Sequence, residues 1–141
     1  MICVDASLVM KWITPEEGSE IALALLRKWT KEEEELIVPS LLDYEVGTAI
    51  RQKIVRGLLH SEDLFPVFDA YSKLGLQAYH LPRLVPLAVS AAETLQQHTI
   101  YDVSYLLLAK RHEAQLVTAD RRFYDAARTL FPIVRYYKDD H

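Results

Sequence analysis

Hydrophobic positions along this chain alternate between short apolar runs and longer stretches of helical periodicity. Ile2 to Val4 is the first run and ends at Asp5. Leu36 to Val38 is the second and ends at Pro39. Leu76 to Leu81 holds the third, with Leu76, Ala78 and Tyr79 inward. Gln115 to Thr118 is the fourth, followed by Asp120, and Pro132 to Val134 is a short last one. Continuous apolar runs of this length suit strands buried on both faces.

Helical patterns fill the gaps. Leu8, Val9 and Trp12 make one short face that stops before Pro15. Glu16 and Glu17 are expected in the first turn of a second helix, reaching about Thr30. Ser40 reads as an N-cap with Asp43 as its box partner, on a helix ending near Arg56 before Gly57. Ser61 is expected to cap a helix to about Leu74, which Pro66 either kinks or starts. Pro82 and Pro86 open a helix to about Gln97, Thr99 caps one over about 100–113, and 121–130 is the last. Strands alternating with crossover helices predict a parallel sheet covered on both faces, within one domain over 1–135. Residues 136–141 read as a frayed polar tail.

At 141 residues the chain is long enough to bury a sizeable core, and half its residues are hydrophobic. No apolar run approaches a membrane span, and a strand at residue 2 leaves no room for a leader, so a cytoplasmic location is expected. Cys3 is the only cysteine. In a central strand it reads as a small core residue. The net charge of −4 argues against holding nucleic acid by bulk electrostatics. It is compatible with an acidic site whose charge is offset by bound cations.

Four acids stand out. Asp5 and Asp120 each lie just past an apolar strand, and two parallel central strands would carry both to one sheet edge. Glu45 lies near the apolar stripe of its helix, with Leu41, Leu42, Ala49 and Ile50 around it. Asp102 sits in the first turn of a helix on the side of Tyr105, Leu106 and Ala109. Each has a plainer reading: Asp5 and Asp120 as helix caps, Asp102 as box partner of Thr99, Glu45 as a boundary residue reaching out to solvent. Together they suggest a cluster that cannot stay ionised unaided, because like charges raise each other's pKa. A hard cation such as Mg²⁺ or Mn²⁺ would relieve that repulsion. The histidines are scattered, which disfavours zinc.

The segments "CVDASLVMKW", "PSLLDYEVGTAI" and "TIYDVSYLLLAKRHEAQLVTADRRF" resemble, in order and spacing, those of PIN-domain ribonucleases of the VapC toxin type. The resemblance implies a three-layer α/β/α sandwich with a central, mostly parallel sheet. It implies Mg²⁺-dependent endonucleolytic cleavage of RNA, inhibition by a cognate antitoxin, and a homodimer. By position it makes Asp5 and Asp102 direct metal ligands, completed by Asp120 and Glu45. Ser7 and Thr118 match the family's small hydroxyl residues beside the acids. The expected reaction is direct hydrolysis, with no covalent intermediate.

Two other readings are kept open. One is an aspartate-based phosphotransfer domain with Asp5 as nucleophile, although Ser7 stands where the phosphatase pattern wants a second acid. The other is a catalytically inactive interaction module. Trp12 and Trp29 have two readings: tryptophans on helix faces usually belong to the core, and under the toxin reading a groove beside them would take an apolar antitoxin peptide. Lys11, Arg51, Lys110, Arg111, Arg121 and Arg122 are candidate phosphate contacts.

Overall fold

The computed structural model describes residues 1–140. Five strands, β1 (Ile2–Val4), β2 (Leu36–Pro39), β3 (Gln77–Tyr79), β4 (Gln115–Thr118) and β5 (Val134–Tyr136), form one sheet in the order β3-β2-β1-β4-β5. Every neighbouring pair is parallel. Seven helices surround it: α1 (Ala6–Ile13), α2 (Ser19–Lys31), α3 (Leu42–Val55), α4 (Leu64–Ser72), α5 (Val85–Thr94), α6 (Tyr101–Arg111) and α7 (Arg121–Ala127). The result is the expected α/β/α sandwich. α1 packs against α2, α3 and α4, while α6 lies across β1, β2 and β4 and against α5.

The strand order fixes where a site can form. From β1 the chain builds outward through β2 to β3, then crosses back to add β4 and β5 on the other side. The order reverses between β1 and β4, and in parallel sheets the crevice at such a reversal lies beyond the strand carboxyl ends. Cys3 stands opposite both Ile37 and Leu116, and Val4 opposite Val117. All five are essentially inaccessible, which explains the uninterrupted apolar runs. Cys3 is thus the core residue its position suggests, and burial, reinforced by Asp5, pushes its thiol pKa up.

Several local expectations are corrected. Glu16 and Glu17 precede α2, because Gly18 takes a left-handed conformation and turns the chain first. Glu16 instead meets Lys11 at 3.5 Å and Lys53 at 2.9 Å, tying α1 to α3. Ser40 does not cap α3: its N–H donates to the Tyr79 carbonyl at 2.8 Å, prolonging the β2–β3 ladder, and the helix starts two residues later. Asp43 accepts from the Tyr71 hydroxyl at 2.8 Å. Ser61 opens a 3₁₀ turn, Ser61–Asp63, whose box is made by His60 and Asp63. Pro66 falls in the first turn of α4, where its missing N–H costs nothing. Ala78 is exposed because β3 is the sheet edge. Thr99 makes no cap bond, and Ile100 occupies that position of α6.

The last strand begins at Val134, later than expected, and the segment read as a frayed tail is structured as far as Asp139, with His141 outside the described residues. Tyr136 closes β5, and a 3₁₀ turn, Tyr137–Asp139, follows. Tyr137 is buried with its hydroxyl against Gly18. A Cβ at Gly18 would run into that hydroxyl, and the backbone there has a φ of 82°. Gly18→Ala is therefore expected to lower the unfolding free energy by about 2 kcal/mol or more, from steric displacement and left-handed strain together. Chemical denaturation measures it. Gly75→Ala, where φ is 71° but nothing lies within 4 Å, isolates the strain.

Candidate active site

Asp5 leaves the end of β1 and caps α1, accepting the Leu8 N–H at 3.1 Å. The cap reading and the site reading hold together: the residue is 4% exposed at the switch point. Ser7 Oγ donates to Asp5 Oδ1 at 2.6 Å, and Thr118 Oγ1 donates to Oδ2. The same hydroxyls accept backbone N–H groups just past β4: Ser7 from Ala119 across to the neighbouring segment, and Thr118 from Asp120 two residues along its own, both at 3.0 Å. Two small hydroxyl residues therefore lock the carboxyl ends of β1 and β4 onto one carboxylate. Asp120 follows as N-cap of α7, accepting the Phe123 N–H at 3.1 Å.

Glu45 and Asp102 come from the flanking helices. Glu45, in the first turns of α3, is held by the Tyr105 hydroxyl, which donates to Oε1 at 2.6 Å. Asp102 lies in the first turn of α6 and is half-buried. Tyr105 is a site residue that sequence reading placed only among the apolar neighbours of Asp102. The available signal was a hydroxyl-bearing ring within a buried stripe, since buried tyrosines usually find a partner for their O–H.

Electrostatics show that the four acids share one environment. Burial pushes Asp102 up to about 7, with Asp5, Asp120 and Glu45 each adding to the rise. Burial also raises Asp5; its bonds from Ser7, Thr118 and Leu8 work against this, and Asp120 adds to it. Glu45 is raised by burial and by Asp5 and lowered by the Tyr105 hydroxyl. The structure thus brings all four acids within mutual influence at the switch point.

Among the described residues, no three His, Cys, Asp or Glu side chains close into a ready-made metal cage. The donor set is instead open: among the described residues none of the four acids pairs with a cationic side chain, and Glu45 borders an open cleft. That suits a hard cation which fills its remaining positions with water and phosphate oxygens, as Mg²⁺ does. A cleft of about 620 Å³ adjoins the acids, sharing Ser7 and Glu45 with them.

Other candidates are placed elsewhere. Trp12 and Trp29 are buried and meet edge to face at 6.3 Å, and Trp12 Nε1 donates to the Ala22 carbonyl at 2.7 Å. They are core, the plainer of the two readings of these tryptophans, and line no groove among the described residues. Lys11 bonds to Glu16 and the Glu17 carbonyl, Arg121 pairs with Asp125, and Lys110 lies over the Phe131 ring.

A parallel α/β sheet with carboxylates gathered at its switch point defines a class of protein that works on ligands at the strand carboxyl edge. The chain belongs to the PIN domain family, whose model matches residues 2–129. It is 29% identical over 133 residues to VapC ribonuclease Mb0985 of Mycobacterium bovis, covering 94% of this chain and 96% of that protein. It is 32% identical over 120 residues to ribonuclease VapC1 of Mycobacterium tuberculosis, covering 84% and 85%. The crystal structure of PAE2754 from Pyrobaculum aerophilum has the same fold, with a TM-score of 0.72 at 23% identity, covering 98% of this chain and 91% of that one. Among the described residues no helix is long and apolar enough to cross a membrane.

Proposed function

We propose that this protein is a divalent-metal-dependent endoribonuclease that hydrolyses RNA phosphodiester bonds, and that it is the toxin of a toxin–antitoxin pair. The observation that carries the enzymatic reading is the convergence of Asp5 and Asp120 from two strand ends with Glu45 and Asp102 from two helices. The ribonuclease names of the relatives, matched over most of their length, point the same way. A Mg²⁺ or Mn²⁺ ion held by Asp5 and Asp102, with Asp120 and Glu45 completing the set, would neutralise charge on the phosphodiester and make water more acidic.

The chain's own residues do the rest. Ser7 and Thr118 fix both oxygens of Asp5, so the carboxylate needs no reorganisation when charge develops near it. Tyr105 engages one oxygen of Glu45 and orients the other. Burial and the neighbouring acids push Asp102 up to about 7, so binding a cation there displaces a proton near neutral pH. Its ionised form is favoured once a cation is present. An aspartyl-phosphate mechanism is disfavoured, because Asp5 is buried with both oxygens already accepting hydroxyl hydrogens.

The test is cleavage of a mixed-sequence RNA by the purified chain with Mg²⁺, Mn²⁺ or EDTA. Mg²⁺ or Mn²⁺ should give cut products, and EDTA should abolish them. Asp120→Asn should retain the fold, since Asn caps α7 as well as Asp does, yet lose cleavage by about 10²-fold or more. Undiminished cutting in EDTA would remove the metal from the reading. The toxin role is tested by growth arrest on expression of the wild type but not of the Asp120→Asn variant.

A further inference from the structure

The acids account for bond breaking but not for how a substrate strand is held beside them. The 620 Å³ cleft that begins at Ser7 and Glu45 is walled by Tyr44 and Tyr101 and floored by apolar side chains such as Met10 and Ala49. Tyr44 is 81% exposed and Tyr101 is 50% exposed. A second cleft, of about 260 Å³, shares Leu41 and Tyr44 with the first and continues to Tyr79, His80 and Ser104. A third shares His80 and Leu81 with the second and ends on Arg83 and Arg111. Both arginines are exposed, and among the described residues neither pairs with an acid.

The clefts thus form one trough that follows α6 from Tyr101 to Arg111, about 15 Å at the rise of a helix. Its chemistry changes along the way: the Glu45 carboxylate at one end, exposed aromatic rings with neighbouring hydroxyls in the middle, guanidinium groups at the other. A continuous apolar peptide would leave the arginines unmatched. A duplex would hide its bases from the rings. A single-stranded polyanion matches all three zones: a phosphate at the acids, a base against Tyr44, and a second phosphate at the arginines.

The geometry points to Tyr44 as the platform on which the unpaired base next to the cleaved bond stacks, with Arg83 and Arg111 holding the backbone further along. This rests on the ribonuclease reading and adds to it the path the strand takes across this chain. Tyr44 and the arginines are positioning residues; they touch the strand but not the bond that breaks.

The experiment is binding of a fluorescent single-stranded RNA 8-mer to the full chain in EDTA, so that cleavage does not interfere, followed by cleavage with Mg²⁺. Tyr44→Ala is expected to weaken binding about tenfold, and Tyr44→Trp to restore it. The double variant Arg83→Gln, Arg111→Gln should flatten the dependence of log affinity on log salt by about one to two. A duplex of the same sequence should bind equally weakly to wild type and Tyr44→Ala. Wild-type cleavage with unchanged binding by all three variants overturns the path while leaving the nuclease reading intact. A wild type that neither binds nor cuts overturns both. Variants that alter elution volume while RNA binding stays constant would assign the trough to a second copy of the chain and overturn the proposal.

Discussion

Asp102→Asn is expected to make the protein more stable in EDTA at pH 7.5 while abolishing RNA cleavage. Burial and its acidic neighbours push Asp102 up to about 7 in the fold, against 3.8 for a free aspartate side chain. Between those values the folded chain keeps a proton that the unfolded chain gives up. The stabilising contribution is complete below about pH 4 and is lost as pH rises through 7. At pH 7.5 the ionised group therefore costs about 2–4 kcal/mol, at roughly 1.4 kcal/mol per pKa unit. Asn removes most of that cost. The thermal midpoint should rise by several degrees, at about 3–4 °C per kcal/mol, and the two proteins should converge near pH 4.5. Saturating Mg²⁺ should raise the wild-type midpoint more than the variant's. Parallel stability–pH curves for the two proteins would contradict the clustering of charge at Asp102.

Asp5→Asn is expected to cut activity by about 10³-fold or more, the equivalent of several kcal/mol of lost charge stabilisation. The fold should change little. Asn caps helices as well as Asp, so the bond from Leu8 N–H survives. The Ser7 hydroxyl keeps an acceptor, and that of Thr118 can rotate to accept from the new amide. Asp5→Ala separates charge from structure. It removes the cap and leaves two buried hydroxyls without their acceptor, for a loss of about 2–3 kcal/mol. Paired denaturation and cleavage measurements should show Asn as inactive and stable, and Ala as inactive and weakened. Activity in Asp5→Asn within a few-fold of wild type would remove Asp5 from the reaction.

What could be read in the sequence divides along physical lines. The buried strands were legible because a strand covered on both faces leaves an unbroken apolar run. β4 coincides with 115–118, and β1 with the run that ends at Val4. β5 and β3 were placed loosely because edge strands carry less of that signal; Ala78 and Arg135 face solvent. Caps were the weakest point. Ser40 and Thr99 have cap chemistry, but the ladder bond from Ser40 to Tyr79 outweighs a local cap. At the site, Asp5 and Asp120 were legible as acids ending apolar runs. Glu45 and Asp102 stood out because an acid near an apolar stripe needs an explanation. Tyr105 was not, because nothing in a pattern of apolar positions shows where a phenol hydroxyl points. Nor did spacing show that Ser7 and Thr118 grip Asp5 from two sides, which depends on the register of β1 against β4. The tail was misread because its polar residues flank one tyrosine that folds back under Gly18.

The central position of β1 also governs when the acidic site can first be completed during synthesis. Asp5 is made with the first strand of the sheet, yet its partner Thr118 lies 113 residues further along. Until that later segment leaves the ribosome, β1 lacks one of its two neighbouring strands, and the carboxylate lacks half its grip. Contacts this distant in sequence form late. A polypeptide that stops short of Thr118 therefore carries Asp5 without the strand and hydroxyl that fix it, and the acidic site is assembled only after β4 has been made.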